Sequence, residues 1–184
     1  MDFYFHKLTE MAVPSAVVVI LVTAGCLAAH FLFHKKLNLR RIIPYTLMAV
    51  YLFVLLVTAV FERDWNTFAS PRINLIPFYD LQRDTVRPEH AVLMLVLNTA
   101  VFIPWGILLP VLYRPFRKFR WILAAGLGLS LAIEVTQLFG KMGIFETDDL
   151  IFNTLGTILG FLLYKLCVIL FQRKTSKNKD GKLT

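Results

Sequence analysis

Three polar residues share one face of an otherwise apolar segment. In "LSLAIEVTQLF", Ser130 and Gln137 stand four residues before and three residues after Glu134, so a helix would place all three on one side. A carboxylate within a membrane helix costs at least a few kcal/mol unless it is paired, protonated or near water. Two interpretations stay open: a polar site at the outer surface, or a hydrogen-bond clamp between helices.

Three carboxylates stand just before a second apolar segment, at Glu146, Asp148 and Asp149. We expect that helix to begin at Leu150, with one aspartate as its N-cap and both at the positive end of the helix dipole. The alternative is a divalent cation held by the three side chains through oxygen ligands. Because no ligand motif of defined spacing is present, these residues are weak metal candidates, and we predict no metal and no cofactor.

Buried amides accompany these carboxylates. Asn153, Gly156 and Gly160 fall on one helical stripe, and the two glycines form a G-x-x-x-G pattern that permits close helix packing. We expect Asn153 to come within reach of Glu134 or Gln137. The predicted polar pocket on the outer side adds three residues to Glu134, Gln137, Asn153 and the two aspartates. They are Asn98 of the third span, and Arg72 and Asn74 of a preceding loop, with Arg72 as a partner for the carboxylates.

The elements that must position these residues are membrane helices. The chain of 184 residues is 57% hydrophobic and only 17% charged, and a span needs about 17–25 mostly apolar residues. The sequence predicts an all-α, polytopic helix bundle, formed by residues 1–172 as a single domain, with a disordered basic tail at 173–184. A re-entrant or interfacial segment is expected in the loop 62–90. The five predicted spans are Met11–Phe33, Ile43–Phe61, Ala91–Tyr113, Trp121–Phe139 and Leu150–Phe171.

Charge predicts the orientation of these spans. Thirteen of the 20 lysines and arginines fall in 34–42, 114–120 and the tail, whereas ten of the 12 acidic residues fall on the opposite side. The basic side is expected to be cytoplasmic. This places the C-terminus inside, and the N-terminus and the loops 62–90 and 140–149 outside. Because basic clusters at span ends explain the net charge of +8, we predict no nucleic-acid partner.

In this order, four stretches resemble the VanZ-like family of small bacterial membrane proteins. They are "RINLIPF" at Arg72–Phe78, "NTAVFIPWG" at Asn98–Gly106, "EVTQ" at Glu134–Gln137 and "FETDDLIFNTLGTILG" at Phe145–Gly160. The resemblance implies a multi-pass protein of the bacterial plasma membrane. It also implies a link to resistance against the glycopeptide antibiotic teicoplanin, with which the founding member is associated.

Two functions follow as expectations. The first is a non-catalytic envelope protein whose outer polar pocket interacts with a membrane lipid, a lipid-linked cell-wall precursor or the antibiotic. The alternative is a membrane-embedded enzyme acting on a lipid head group, with Glu134, Asp148 and Asp149 as acid–base or metal-binding residues. The sequence assigns no catalytic residue and does not fix the oligomeric state.

Overall fold

The computed structural model describes residues 39–61, 67–79 and 87–180, and over them the chain is a bundle of four long helices. Each helix has a stretch long and apolar enough to cross a membrane. The predicted all-α bundle is therefore confirmed with four spans rather than five, since the predicted span Met11–Phe33 lies outside the described residues. The helices are α1 (Leu39–Leu56), α2 (Pro88–Leu112), α3 (Phe119–Phe139) and α4 (Thr147–Asp180).

Two short turns complete the helical part. α1 continues as a π-helical turn, Val57–Phe61, and a 3₁₀ turn, Arg114–Arg117, links α2 to α3. At the end of α2 the Arg117 Nε donates to the Pro110 carbonyl oxygen at 3.2 Å. This side chain thus satisfies one of the carbonyls that a helix leaves without an intrahelical partner at its C-terminus.

Glycine permits α2 and α4 to pack backbone against backbone. A Cβ on Gly156 would collide with the Thr99 carbonyl oxygen, and one on Gly160 with that of Ile103. From the other helix, a Cβ on Gly106 would collide with the Thr157 carbonyl oxygen. The predicted close-packing role of Gly156 and Gly160 is thereby confirmed, and their partner helix is α2.

Apolar side chains fill the space between the helices in two clusters. Met48, Leu109, Ile122 and Phe161 bring all four helices together, and each is less than 10% exposed. The second cluster, nearer to the polar site, consists of Leu55, Phe102 and Ile133. Since one side chain in each cluster comes from α1, α2 and α3, these clusters fix how the three helices approach one another.

A two-stranded parallel sheet ties two loops together at one end of the bundle. β1 (Arg72–Asn74) pairs with β2 (Ile144–Glu146). We did not predict it, because strands of three residues have no periodicity to detect and their pairing is long-range. β2 directly joins α3 to α4, so β1 and the turn after it lie at the helix ends. That position fits the interfacial interpretation of this loop better than the re-entrant one.

Both ends of α4 differ from expectation. The helix begins at Thr147 rather than Leu150, so Asp148 and Asp149 lie in its first turn instead of capping it. Their charges still suit the positive end of the helix dipole. At the other end the helix continues to Asp180, through most of the tail that we expected to be disordered. Lysine and glutamine are good helix formers and extend a helix that packing has already nucleated.

Candidate functional site

Polar side chains gather at the end of the bundle where α3 ends and α4 begins. Ser130, Glu134 and Gln137 of α3 are exposed by 0%, 1% and 3%, and Asn153 of α4 by 6%. The π-helical turn after α1, the two strands and the first turn of α4 surround them. We call this group, together with Asn98, Asp148 and Asp149, the polar cluster.

Glu134 links α3 to the sheet. Its Oε2 accepts a hydrogen bond from the Glu146 backbone N–H at 3.1 Å. Glu146 is the last residue of β2 and pairs with Asn74 of β1. A buried carboxylate thus orients the connection between two membrane helices, through a hydrogen bond to a strand rather than to another helix.

Gln137 links α3 to the π-helical turn. Its Nε2 donates to the Ala59 carbonyl oxygen at 2.8 Å, a carbonyl within the π-helical turn. A π-helical turn shifts the backbone hydrogen-bond pattern by one residue, and such turns are frequent at functional sites. The other half of the amide is different: the buried Gln137 Oε1 has no hydrogen-bond partner within the described residues.

Asn153 joins α4 to α3 through a short chain of hydrogen bonds. Its Nδ2 donates to Ser130 Oγ at 2.9 Å, and its backbone carbonyl accepts from Thr157 Oγ1 at 3.1 Å. Asn153 lies on the predicted face, but its hydrogen-bond partner there is Ser130 rather than Glu134 or Gln137. Ser130 stands one turn before Glu134 on α3.

The two aspartates of α4 have separate partners. Asp149 Oδ1 accepts a hydrogen bond from Asn98 Nδ2 of α2, which places the third-span amide beside the start of α4. Asp148 accepts from the Phe78 backbone N–H, with both carboxylate oxygens at 2.9 Å. Phe78 has a positive φ of 59°, an uncommon conformation for a bulky residue, and Asp148 holds it there.

Replacing Asp148 with alanine is therefore expected to free the turn that follows β1. Loss of a charge-assisted hydrogen bond of about 1.5–3 kcal/mol should speed hydrogen exchange at the Phe78 amide by about tenfold or more. The exchange rate is measured by mass spectrometry on the detergent-solubilised protein. The matched control is Glu89→Ala, since Glu89 forms only an exposed 4.0 Å ion pair with Arg87. Equal exchange at Phe78 in both variants would contradict the role of Asp148.

The side chains of Asn74 and Arg72, in the loop before α2, contact residues of that same loop. Asn74 Oδ1 accepts from the Ile76 N–H at 3.2 Å, so its side chain shapes the turn after β1. The Arg72 guanidinium lies 4.5 Å from the centre of the Phe68 ring. Among the residues that the structure describes, Arg72 forms no salt bridge, so the predicted pairing with the carboxylates of the polar cluster is not found. Its backbone does bring β1 alongside β2.

The three weak metal candidates, Glu146, Asp148 and Asp149, have different partners and positions. Asp148 turns to Phe78 and Asp149 to Asn98, while Glu146 stands at the end of β2. Within 39–61, 67–79 and 87–180 no group of three or more acidic, histidine or cysteine side chains could hold a metal ion.

Several hydrogen-bond partners in this site were not predicted from the sequence. The Ala59 carbonyl and the Phe78 amide are backbone groups, which every residue carries, so residue types give no indication of them. Thr157 had a detectable signal, because it stands four residues after Asn153 and its hydroxyl reaches back to that carbonyl.

Four apolar helices and a buried polar cluster at one end of them define a polytopic helical membrane protein. The chain belongs to the VanZ/LLP1 family, whose sequence profile matches residues 42–170. It is similar to protein VanZ of Enterococcus faecium, with 30% identity over 134 residues that cover 68% of this chain and 76% of the relative. No solved structure matches it.

Proposed function

We propose that this chain is a plasma-membrane protein that lowers bacterial sensitivity to a teicoplanin-type glycopeptide. In this proposal the polar cluster binds the polar part of an amphipathic ligand: a membrane lipid, a lipid-linked wall precursor or the antibiotic itself. The association of the family with teicoplanin resistance supports the phenotype. The observation that carries the site is the Gln137 Oε1, a buried acceptor without a partner in the described part of the chain.

The hydrogen-bond acceptors of the cluster indicate which chemical groups the proposed ligand carries. A buried acceptor that lacks a hydrogen bond costs about 1–3 kcal/mol, and a donor supplied by a ligand would remove that cost. Glu134 stands one turn away on the same face of α3 and adds carboxylate oxygens. We therefore infer a ligand whose head group donates hydrogen bonds, such as an ammonium, hydroxyl or amide group.

The proposed orientation places the cluster on the outer side of the membrane. The 3₁₀ turn and start of α3 at the opposite end of the bundle carry Arg114, Arg117, Lys118 and Arg120, which favours the cytoplasm for that end. The loops at the cluster end belong to the acidic side of the sequence. An outer site would meet ligands from the cell wall and the outer leaflet.

The enzymatic alternative has less support from the geometry. Asp148 and Asp149 accept hydrogen bonds from Phe78 and Asn98, so both serve as structural links. Glu134 likewise orients β2. A general base must be within hydrogen-bond reach of the substrate proton, whereas these three carboxylates accept hydrogen bonds from the protein itself. A binding role for the cluster requires no general base.

Antibiotic protection tests this proposal through Gln137. We expect a susceptible bacterium expressing the wild-type chain to tolerate more teicoplanin than one carrying an empty vector. Gln137→Met should abolish that protection at equal membrane abundance, and so should Gln137→Lys, which can still donate to the Ala59 carbonyl but offers no acceptor. The measurement is the minimal inhibitory concentration, normalised to the amount of folded protein.

The matched control is Thr154→Val. Thr154 Oγ1 is also buried without a partner among the described residues, and valine has the same shape, so this variant should protect as well as the wild type. Full protection by the folded Gln137 variants would show that the cluster is not the site. An unprotected wild-type strain would overturn the resistance function itself.

A further inference from the structure

An apolar groove runs along the outside of the bundle between α2 and α4. It has a volume of about 410 Å³. Its only polar lining side chain in the described chain is Thr99, whose hydroxyl donates to the Leu95 carbonyl at 2.9 Å, so the groove offers no open hydrogen-bonding group. The residues that form its walls include Val92, Val96, Ala100 and Ile103 of α2, and Phe152 and Leu155 of α4.

The groove has the length of one membrane leaflet. Val92 and Ile103 are separated by eleven helical residues, or about 16 Å at 1.5 Å per residue. Half of a hydrocarbon core of about 30 Å is about 15 Å. Since α2 begins at Pro88, the groove starts one turn inside the bundle, at the end that holds the polar cluster.

The turn after β1 contacts one wall of the groove through Phe152. The Phe78 ring meets the Phe152 ring edge to face, with centroids 6.2 Å apart, and Asp148 of the same helix holds the Phe78 amide. Leu75 and Ile76 of this turn are 66% and 55% exposed. Apolar side chains therefore continue from the groove onto the loop at the level of the helix ends.

We propose that this groove binds one acyl chain of a phospholipid in the leaflet next to the polar cluster. Its walls are continuous with the exposed apolar faces of α2 and α4, which a membrane covers. A methylene chain matches an apolar groove that offers no open hydrogen-bonding group. The Phe78 turn then lies where the acyl chain meets its head group. This inference stands on the groove alone and is independent of the ligand proposed for Gln137.

A second copy of the chain fits the groove less well. Helices associate in bilayers through small residues, whereas the groove is bordered by Val96 and Leu155, which are 56% and 40% exposed. A better surface for another helix lies on α3, where Ala124, Gly128 and Ala132 form an exposed stripe of small residues.

Photochemical labelling tests the proposal. The full chain is reconstituted in vesicles of phosphatidylglycerol and phosphatidylcholine that contain a phospholipid with a diazirine in its acyl chain. Illumination should place adducts on residues 92–103 about tenfold more often than on the exposed α3 side chains Trp121, Leu127 and Leu131, a ratio that corresponds to about 1.4 kcal/mol. Peptide mapping by mass spectrometry measures the ratio.

Two tryptophan variants test whether the labelling of α2 depends on the groove. Ala100→Trp fills the groove and should reduce the labelling of α2 to the level of α3. Ala124→Trp adds the same ring to an exposed position outside the groove and should leave the ratio unchanged. Equal labelling of α2 and α3 in the wild type would overturn the proposal. So would unlabelled α2 residues together with crosslinked dimers, which would identify a second copy as the occupant.

Discussion

Replacing Gly156 with alanine is expected to destabilise the bundle by about 1–3 kcal/mol or more, the range for overpacking in a well-packed core. The new Cβ would collide with the carbonyl oxygen of Thr99. That oxygen belongs to the backbone of α2, so it cannot move aside as a flexible side chain would. The two helices must separate, which also weakens the neighbouring contacts at Gly106 and Gly160. Titration with a denaturing detergent in mixed micelles measures the free energy of unfolding.

Gly128→Ala is the matched control. It makes the same chemical change in a membrane helix, but apart from the adjoining backbone of α3 no atom of the described residues lies within 4 Å of the added Cβ. Because alanine favours the helix over glycine by up to about 1 kcal/mol, stability should stay the same or rise. If both alanine variants had the same free energy of unfolding, close packing of α2 and α4 would not be what holds the bundle together.

Replacing Glu134 with leucine is expected to loosen the cluster end of the bundle and to abolish antibiotic protection. Leucine has a similar volume but cannot accept the hydrogen bond of the Glu146 N–H. Leaving a partly buried donor unsatisfied costs about 1–3 kcal/mol. The loss should appear as faster hydrogen exchange in β2 and as a lower free energy of unfolding.

Glu134→Gln separates structure from function at the same position. Its amide oxygen can still accept from Glu146, so we expect β2 to exchange nearly as slowly as in the wild type. Protection by this variant then reports whether the ligand requires a carboxylate. A Glu134→Leu variant that is more stable than the wild type, with unchanged exchange in β2, would show that the hydrogen bond from Glu146 to Glu134 does not hold β2 in place.

Within the polar cluster, the carboxylates would support the fold and Gln137 would recognise the ligand. Glu134, Asp148 and Asp149 are linked to β2, the Phe78 turn and α2, so they fix the geometry of the cluster end of the bundle. Gln137 donates with one half of its amide, and the other half, Oε1, has no hydrogen-bond partner among the described residues. A resistance function would therefore depend on one acceptor held by several structural residues.

Much of this architecture could be predicted from the sequence, because apolar length and composition are local properties. The spans, the helical stripe of Asn153, Gly156 and Gly160, and the shared face of Ser130, Glu134 and Gln137 all follow from helical periodicity. The burial of Glu134 and Gln137 within a bundle follows too, since a polar group facing lipid is costly.

Only the tertiary structure decided which groups become partners. Pairing of β1 with β2 joins two backbone segments about 70 residues apart in the chain. The bonds from the Phe78 amide to Asp148 and from Gln137 to the Ala59 carbonyl join a backbone group to a side chain over a similar separation. Backbone donors and acceptors are identical at nearly every residue, so no residue type marks the ones that pair. The glycine pattern indicated that α4 would pack closely, but the collisions at Thr99 and Ile103 identify α2 as its partner, because that choice depends on the positions of whole helices.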